Sequence, residues 1–235
     1  MIAPQISASH MMTAERARRD MLWCLAWLLL LLLWETSRWD LAVVRAVATG
    51  SGFALRDHWF TSTVLHQGGR AAGWLVMAAL VLNLWRPLPF ARDLSVSERR
   101  WWLGSIVACL LAVLTIKHAS LTSCPWSLAE FGGTARYVPH WRLGVADGGG
   151  GGCFPSGHAS AGFSFFAGYF ALRERHGTAA RWWLAGVLFF GVIFGVGQTL
   201  RGAHYPSHTL WTAWICLAIC VTLHHAGWVW RGRTA

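Results

Sequence analysis

Six long stretches of the sequence carry no charged side chain, and they restrict the chain to folds that place apolar helices in a membrane. Only 13% of the residues are charged, against about 25% in a typical soluble domain. The 17 tryptophans agree with this, because indole rings collect at membrane interfaces. The composition therefore excludes an ordinary soluble domain. The six stretches are Met21–Trp34, Ala71–Trp85, Trp101–Ile116, Phe154–Leu172, Trp182–Leu200 and Gly202–Trp230.

Each stretch is interpreted as one membrane span. A helix needs about 20 residues to cross a bilayer, and the first three stretches are shorter than that. Alone, each of these could be a buried helix of a water-soluble core, but flanking arginines and tryptophans can reach the interface and complete the span. We therefore predict an all-α polytopic membrane protein, a six-transmembrane-helix bundle that forms a single domain over residues 1–235.

The arginines predict the orientation of this bundle. With the N-terminus in the cytoplasm, 12 of the 20 lysines and arginines lie in short segments on that side, as the positive-inside rule requires. Both termini are then cytoplasmic. The net charge of +10 follows from this orientation, and no separate basic patch indicates a nucleic-acid partner. The 12 residues are Arg16, Arg18, Arg19, Arg86, Arg92, Arg99, Arg100, Arg173, Arg175, Arg181, Arg231 and Arg233.

The outside segment of residues 40–70 is interrupted by Arg45, Arg56 and Arg70, so it is not expected to span. Its apolar positions predict one or two helices that lie at the membrane interface. Their expected role is packing, with guidance of a substrate as the alternative.

Basic side chains lie at the ends of the last four spans. Lys117 ends the third span and His158 begins the fourth, while Arg201 and His204 lie in the short connection between the fifth and sixth. In the predicted topology all four reach the same membrane face. Because ionisable groups beside apolar spans are costly, these residues are candidates for function.

The stretch Pro155-Ser156-Gly157-His158 favours an anion site at the start of a helix. Proline suits the first turn of a helix, and the free N–H groups of the three following residues would point out of the helix end. Glycine lets a phosphate oxygen approach the backbone. His158 can then give a proton to a departing oxygen. Taken alone, the stretch could also be a capping turn with an interfacial histidine.

The stretch of residues 201–208 adds further basic groups. His204 and His208 lie about one turn apart, so they share a face if the helix has begun there, and Pro206 fits its first turn. Arg201 offers a planar fork for phosphate oxygens. Interfacial histidines beside a snorkelling arginine are the alternative, but the combination with the lysine and the first stretch favours a phosphate pocket.

These stretches resemble the signature of the type 2 phosphatidic acid phosphatase family, which is related to the vanadium haloperoxidases. The family pattern has a lysine followed by Arg-Pro, a Pro-Ser-Gly-His stretch, and a Ser-Arg pair followed by a histidine and an aspartate. The resemblance covers about residues 100–225, and six spans match the membrane branch of the family. Members dephosphorylate phosphatidic acid, phosphatidylglycerol phosphate, prenyl diphosphates or lipid A.

The chain departs from the family pattern at three positions. Cys124 stands where the first-motif arginine would be, Gln198 where the third-motif arginine would be, and His208 replaces the aspartate. On a helix, Arg201 lies close enough to position 198 to reach the same phosphate. A neutral His208 ring can accept a hydrogen bond from the nucleophile in place of the aspartate.

Other residues of the outside loop are alternatives for the missing groups. Arg136 or Arg142 could take the place of the first-motif arginine, and Asp147 or Glu130 could supply the missing carboxylate.

The resemblance implies a hydrolase without a cofactor. One histidine attacks phosphorus and forms a phosphohistidine, a second protonates the departing oxygen and then helps to activate water, and a third orients the nucleophile. Basic side chains and backbone amides stabilise charge on the phosphate oxygens. No metal is expected, because the basic side chains would repel a cation. Among the catalytic residues, the nucleophile is His204, the acid is His158 and the orienting residue is His208. The phosphate-binding residues are Lys117, Arg201, Ser156 and Gly157.

Two of the six cysteines are placed to pair. Cys124 and Cys153 both fall in the outside loop of residues 118–154, which is oxidising if it faces a periplasm. A disulfide between them would tie the loop after Lys117 to the stretch that begins at Pro155. The other four cysteines lie within spans, where a buried thiol acts as a small apolar group.

We therefore predict a phosphatase for a membrane lipid phosphate or diphosphate, located in a bacterial inner membrane with its site facing the periplasm. A lipid-to-lipid phosphotransferase that uses the same phosphohistidine is one alternative. A non-catalytic lipid-binding membrane protein is another. The expected partners are the lipid substrate and the bilayer, and neither the identity of the lipid nor the oligomeric state has a readable pattern in the sequence.

Overall fold

The computed structural model describes the backbone of residues 3–233 and the side chains of residues 14–226. Helices make up 69% of the protein, and the described residues contain no strand. The predicted all-α class is therefore confirmed. The α-helices are α1 (Ala3–Ser37), α2 (Trp39–Val47), α3 (Gly69–Leu82), α4 (Val96–Ala119), α5 (Ser160–Phe163), α6 (Ala167–Leu172), α7 (Gly177–Leu200) and α8 (Pro206–Arg233).

Shorter helical turns join these elements. A π-helix over Phe60–Gly68 runs directly into α3, and a 3₁₀ turn over Ser164–Phe166 links α5 to α6. Three further 3₁₀ turns lie in the loops, at Pro89–Ala91, Pro125–Ser127 and Ala129–Phe131.

Four helical segments are long and apolar enough to cross a membrane. Large apolar side chains such as Leu30 and Trp74 are more than 60% exposed on the outside of the bundle, as expected for a surface that faces lipid. A membrane protein is therefore confirmed, but the predicted count of six spans is not. The four segments are Ala14–Ser37, Val96–Ala119, Gly177–Leu200 and Pro206–Ala226.

The other two predicted spans are shorter helices than the sequence suggested. Of residues 71–85, only 71–82 fall in α3, which has only 14 residues of α-helix because the segment before it is a π-helix. Residues 154–172 do not form one helix, since the chain turns through Phe154–Ala159 and helical structure begins at Ser160.

Ion pairs define one end of the bundle. Asp20 in the middle of α1 binds Arg173 after α6 at 2.7 Å and His225 near the end of α8 at 3.0 Å. Arg175 binds Glu98 of α4 at 2.6 Å. The middle of α1 and the last turns of α8 therefore meet, together with the arginines that follow α6. We call this the basic end.

Polar contacts of α1 and α8 define the opposite end, which we call the site end. Trp211 donates to Glu35 at 2.8 Å, and the Ser207 N–H donates to Asp40 at 2.9 Å. The carboxylate of Asp40 thus satisfies a backbone donor in the first turn of α8, where the helix dipole favours negative charge. The end of α1 is in this way fixed beside the start of α8.

Glycine permits the close contact between α5 and α7. A Cβ atom at Gly162 would lie 2.5 Å from the backbone nitrogen of Gly191, and one at Gly191 would overlap the ring of Phe163. These helices pack backbone to backbone, which is how apolar helices associate where no hydrophobic effect drives them together.

We predict that Gly162→Ala destabilises the protein by about 1–3 kcal/mol, because the added methyl group has no space. Thermal unfolding in detergent measures this as a lower Tm. Gly104→Ala is the matched control: its Cβ meets no atom within 4 Å, so the same change in an open part of α4 should leave Tm unchanged or slightly higher. Equal Tm values for the two variants would contradict the packing argument.

Candidate active site

The connection between α7 and α8 brings two histidines together. The chain turns at Gly202, whose φ of +69° is a left-handed conformation that favours glycine, and α8 begins at Pro206. His204 therefore precedes α8 and His208 lies in its first turn. Their Nδ1 atoms are 3.4 Å apart.

Both histidine rings contact Cys153. The Nδ1–H of His208 donates to the Cys153 carbonyl oxygen at 3.0 Å, and Nδ1 of His204 lies 3.5 Å from Cys153 Sγ. His208 was expected to accept from His204, but its Nδ1 proton is committed to this carbonyl.

The outside-loop residues considered as substitutes have other surroundings. Asp147 accepts from the Ser123 N–H at 2.5 Å and the Gly149 N–H at 2.9 Å, so it holds the loop together. Glu130 pairs with Arg45 at 2.6 Å on the surface. The arginines considered for the first motif are exposed; they are Arg136 and Arg142.

Burial sets the protonation of His204. Its pKa is lowered to about 3, first because burial disfavours the cation and then because Lys117 adds positive charge nearby. His204 is therefore neutral at pH 7. Its Nδ1 is enclosed by His208 Nδ1 at 3.4 Å and Cys153 Sγ at 3.5 Å, which leaves Nε2 as the ring nitrogen open to an entering group.

The stretch around His158 differs from the predicted helix start. The Ser156 N–H donates to the His208 carbonyl at 3.2 Å, so this amide is not free to bind an anion as expected. Helix α5 begins only at Ser160 and has four residues. Gly157 remains open on the side of Lys117, whose Cδ would lie 3.6 Å from a Cβ at that position.

His158 is also buried and neutral. Burial is the largest cause that lowers its pKa to about 4, followed by the charge of His66. Its Nε2 lies 3.4 Å from the carbonyl oxygen of Leu65, which can only accept, so the lone pair of the neutral ring lies on Nδ1. His158 becomes an acid only when a nearby negative charge raises its pKa again.

The predicted phosphate-binding side chains of Lys117 and Arg201 are held by different parts of the chain. Lys117 Nζ donates to the Gly152 carbonyl at 2.5 Å. The Arg201 side chain is held by the Arg56 carbonyl at 2.7 Å and by the Gln198 side-chain oxygen at 3.4 Å. Burial lowers the pKa of Arg201, so its charge is incompletely compensated by the protein.

The cysteines predicted to pair are joined in the structure. Cys124 and Cys153 form a disulfide with a Cα–Cα distance of 5.2 Å. Their sulfur atoms and a ring nitrogen of His204 lie within 4.8 Å of one another. This group does not fit a metal site, because a disulfide offers no thiolate, the form in which cysteine binds zinc.

Several residues at the site were not predicted. His66 stacks on His158 with ring centroids 4.2 Å apart and contacts Gln198. His140 stacks on Phe154 and lies 3.3 Å from Glu35. The only signal for His66 was the predicted helical character of residues 40–70, because a π-helix that turns this side chain inward has no simple sequence pattern.

A family comparison accounts for this arrangement. The family model of the PAP2 superfamily matches residues 100–231, which include Lys117, both histidine stretches and the disulfide. The chain belongs to the PAP2 superfamily. This confirms the family suggested by the sequence motifs and indicates a phosphatase that acts on phosphoesters. No curated protein and no solved structure matches the chain.

We predict that reduction of the Cys124–Cys153 disulfide lowers both Tm and phosphate release. The bond closes a loop with a sequence separation of 29, which the chain-entropy model values at about 3–4 kcal/mol. It also fixes the position of Cys153, which the rings of His204 and His208 both contact. Thermal unfolding and phosphate release are measured with and without dithiothreitol.

The variant Cys124→Ser is the control for reductant effects elsewhere. It should behave like the reduced wild type and should not respond to dithiothreitol. If the wild type keeps its Tm and activity after thiol titration shows complete reduction, the bond has no role in the site.

Proposed function

We propose that the protein is an integral-membrane phosphatase that hydrolyses a lipid phosphate or diphosphate through a phosphohistidine on His204. The observation that carries this proposal is the state of His204: a buried, neutral ring whose Nδ1 is enclosed by Cys153 and His208, close to the charge of Lys117. A residue that only binds phosphate gains most from positive charge. A neutral imidazole with a directed lone pair is what nucleophilic attack needs.

The reaction has two steps. When the phosphate binds, its negative charge lets His158 take a proton from solvent at Nδ1. The Nε2 lone pair of His204 then attacks phosphorus, the phosphoester bond breaks, and the departing oxygen takes that proton from Nδ1 of His158. Water then attacks the phosphohistidine while His158 takes one of its protons, and phosphate leaves. Lys117 and Arg201 stabilise the charge on the phosphoryl oxygens in both steps. Neither step calls for a metal or cofactor.

His208 acts in this scheme as a positioning residue. Its Nδ1–H donates to the Cys153 carbonyl, its Nδ1 lies 3.4 Å from that of His204, and its own carbonyl oxygen accepts from the Ser156 N–H. It therefore fixes the nucleophile and the Pro155–His158 turn relative to each other.

An apolar groove beside the site supports a lipid substrate. The groove has a volume of about 550 Å³ and is lined by α3, α5 and α7 with side chains such as Val76, Phe165 and Phe190. Phe194 belongs to both groove and site, since its ring lies 5.9 Å from that of His158. A hydrocarbon chain in the groove would place its phosphate at the histidines.

The topology of the proposal follows the distribution of charge. The π-helix and α3 together form 23 helical residues, which is enough to span, and the broken helix from Ser160 to Leu172 completes a bundle of six. Under the positive-inside rule, the basic end faces the cytoplasm with both termini. The site end then faces the periplasm of a bacterial inner membrane, an oxidising compartment that suits the disulfide. Residues 1–235 form one domain, and no nucleic-acid partner is expected.

We predict that His204→Ala abolishes phosphate release while the protein remains folded. The assay uses purified protein in detergent with chelator present, on phosphatidic acid, phosphatidylglycerol phosphate, undecaprenyl diphosphate and lipid A. His118→Ala, an exposed histidine at the end of α4, is the control and should retain full activity. Activity of His204→Ala near the wild-type level would refute the nucleophile. Labelled phosphate appearing on a second lipid instead of in solution would favour the phosphotransferase.

We predict that Gly186→Trp selectively impairs long-chain substrates. A side chain at Gly186 meets no atom within 4 Å and projects into the groove, where an indole would take the place of the hydrocarbon chain. Activity on a long-chain lipid phosphate should fall at least about tenfold, which corresponds to about 1.4 kcal/mol, while a water-soluble phosphate monoester is hydrolysed as before.

Gly104→Trp is the matched control for this variant, because it adds the same side chain at an open position of α4 outside the groove. It should leave both activities unchanged. If Gly186→Trp lowers the two activities equally, the groove does not hold the substrate chain.

A further inference from the structure

A further histidine, His66, reaches the site from a segment of the chain outside the residues that match the family model. The π-helix of Phe60–Gly68 carries it. Its ring stacks on that of His158 with an interplanar angle of 19°, and the adjacent Leu65 carbonyl lies 3.4 Å from His158 Nε2. Two consecutive residues of this helix thus contact the proposed acid. π-Helical turns are frequent at functional sites.

The hydrogen bonds of Gln198 decide where His66 carries its proton. The Gln198 side-chain oxygen accepts from Arg201 at 3.4 Å, since a guanidinium can only donate. The amide nitrogen of Gln198 therefore faces His66, and it donates to Nδ1 at 3.3 Å. With Nδ1 as acceptor, the neutral ring of His66 bears its proton on Nε2.

The Nε2–H group of His66 is a donor without an acceptor among the residues that the structure describes. The ring is half-buried, and Nε2 is not among the fully buried polar atoms, so an entering group can reach it. The stacking on His158 and the link through Gln198 to Arg201 place the ring in the same pocket. An acceptor that enters this pocket meets the His66 donor together with Arg201.

We infer that His66 is a further phosphate-binding residue, whose Nε2–H donates a hydrogen bond to the phosphoryl group beside His158. The inference rests on the proposed function for its catalytic consequence, but binding of phosphate can be tested without turnover. Gln198 positions His66 by fixing its tautomer, and it links His66 to Arg201. The family pattern has an arginine at position 198, where this chain has Gln198. The neutral donor of His66 and the charge of Arg201 together take the place of that arginine.

The alternative to test is that His66 only packs against His158. His66→Phe keeps a flat ring for the stack and removes the donor. His66→Gln gives up the ring but restores an N–H donor at about the same distance from the backbone. His118→Phe is the matched control, since it makes the same replacement at an exposed position of the site end.

The first measurement is the rise in Tm that inorganic phosphate causes in detergent, because a ligand that binds the native state stabilises it. Wild type and His118→Phe should show the same rise. His66→Phe should unfold at the wild-type temperature without phosphate and show a smaller rise with it, and His66→Gln should recover part of the rise.

The second measurement is kcat/KM for lipid phosphate. Loss of one hydrogen bond to a charged group should lower it about 10- to 100-fold in His66→Phe and less in His66→Gln. If the wild type releases no phosphate from any lipid, the proposed function fails, while a smaller Tm rise in His66→Phe still supports phosphate binding by His66.

Three results would overturn the inference. One is a wild-type Tm that does not respond to phosphate. Another is a His66→Phe variant that matches the wild type in both measurements. The third is an equal loss in the Phe and Gln variants together with a lower Tm in the absence of phosphate, which would assign the residue to the fold alone.

Discussion

Charge is excluded from the middle of this protein, and the rest of the structure follows from that constraint. Backbone groups inside a membrane must be satisfied within helices, so breaks in the helices belong at the ends of the bundle. The turn before α5 and the connection between α7 and α8 both lie at the site end. These two breaks carry His158 and His204. The same exclusion gathers the arginines and their carboxylate partners at the basic end.

The site consists of neutral histidines in positive surroundings. Burial keeps the rings of His158 and His204 uncharged, and the cations of Lys117 and Arg201 add to that effect. A phosphate group brings the negative charge that this pocket lacks. Its arrival favours a proton on His158. In the proposed mechanism, the acid form of His158 therefore depends on the presence of the substrate, and a permanent carboxylate partner is not needed to create it.

The sequence predicted the parts of the protein that depend on composition or on local motifs. Charge-free stretches gave the helical membrane class, and the Pro155–His158 and His204–Ser207 stretches gave the family. The spans around α3 and α5 were less accurate, because hydropathy does not distinguish an α-helix from a π-helix or a turn. His66 escaped prediction since its role depends on a contact with His158, far away in sequence. The role of the Cys153 carbonyl as an acceptor was not predicted, because every residue has a backbone carbonyl and the sequence does not show which one is used.

The π-helix and α3 form one continuous rod, and this rod has two kinds of neighbour. At one end it carries His66, and about two turns further on Gly73 and Val76 form part of the apolar groove. If the substrate is a lipid phosphate, as proposed, a hydrocarbon tail in the groove would contact the same helix that holds the His66 ring against His158. The fit of the tail would then influence the alignment of the headgroup. Selectivity for the hydrocarbon chain of the substrate would then change the rate of the chemical step as well as the affinity.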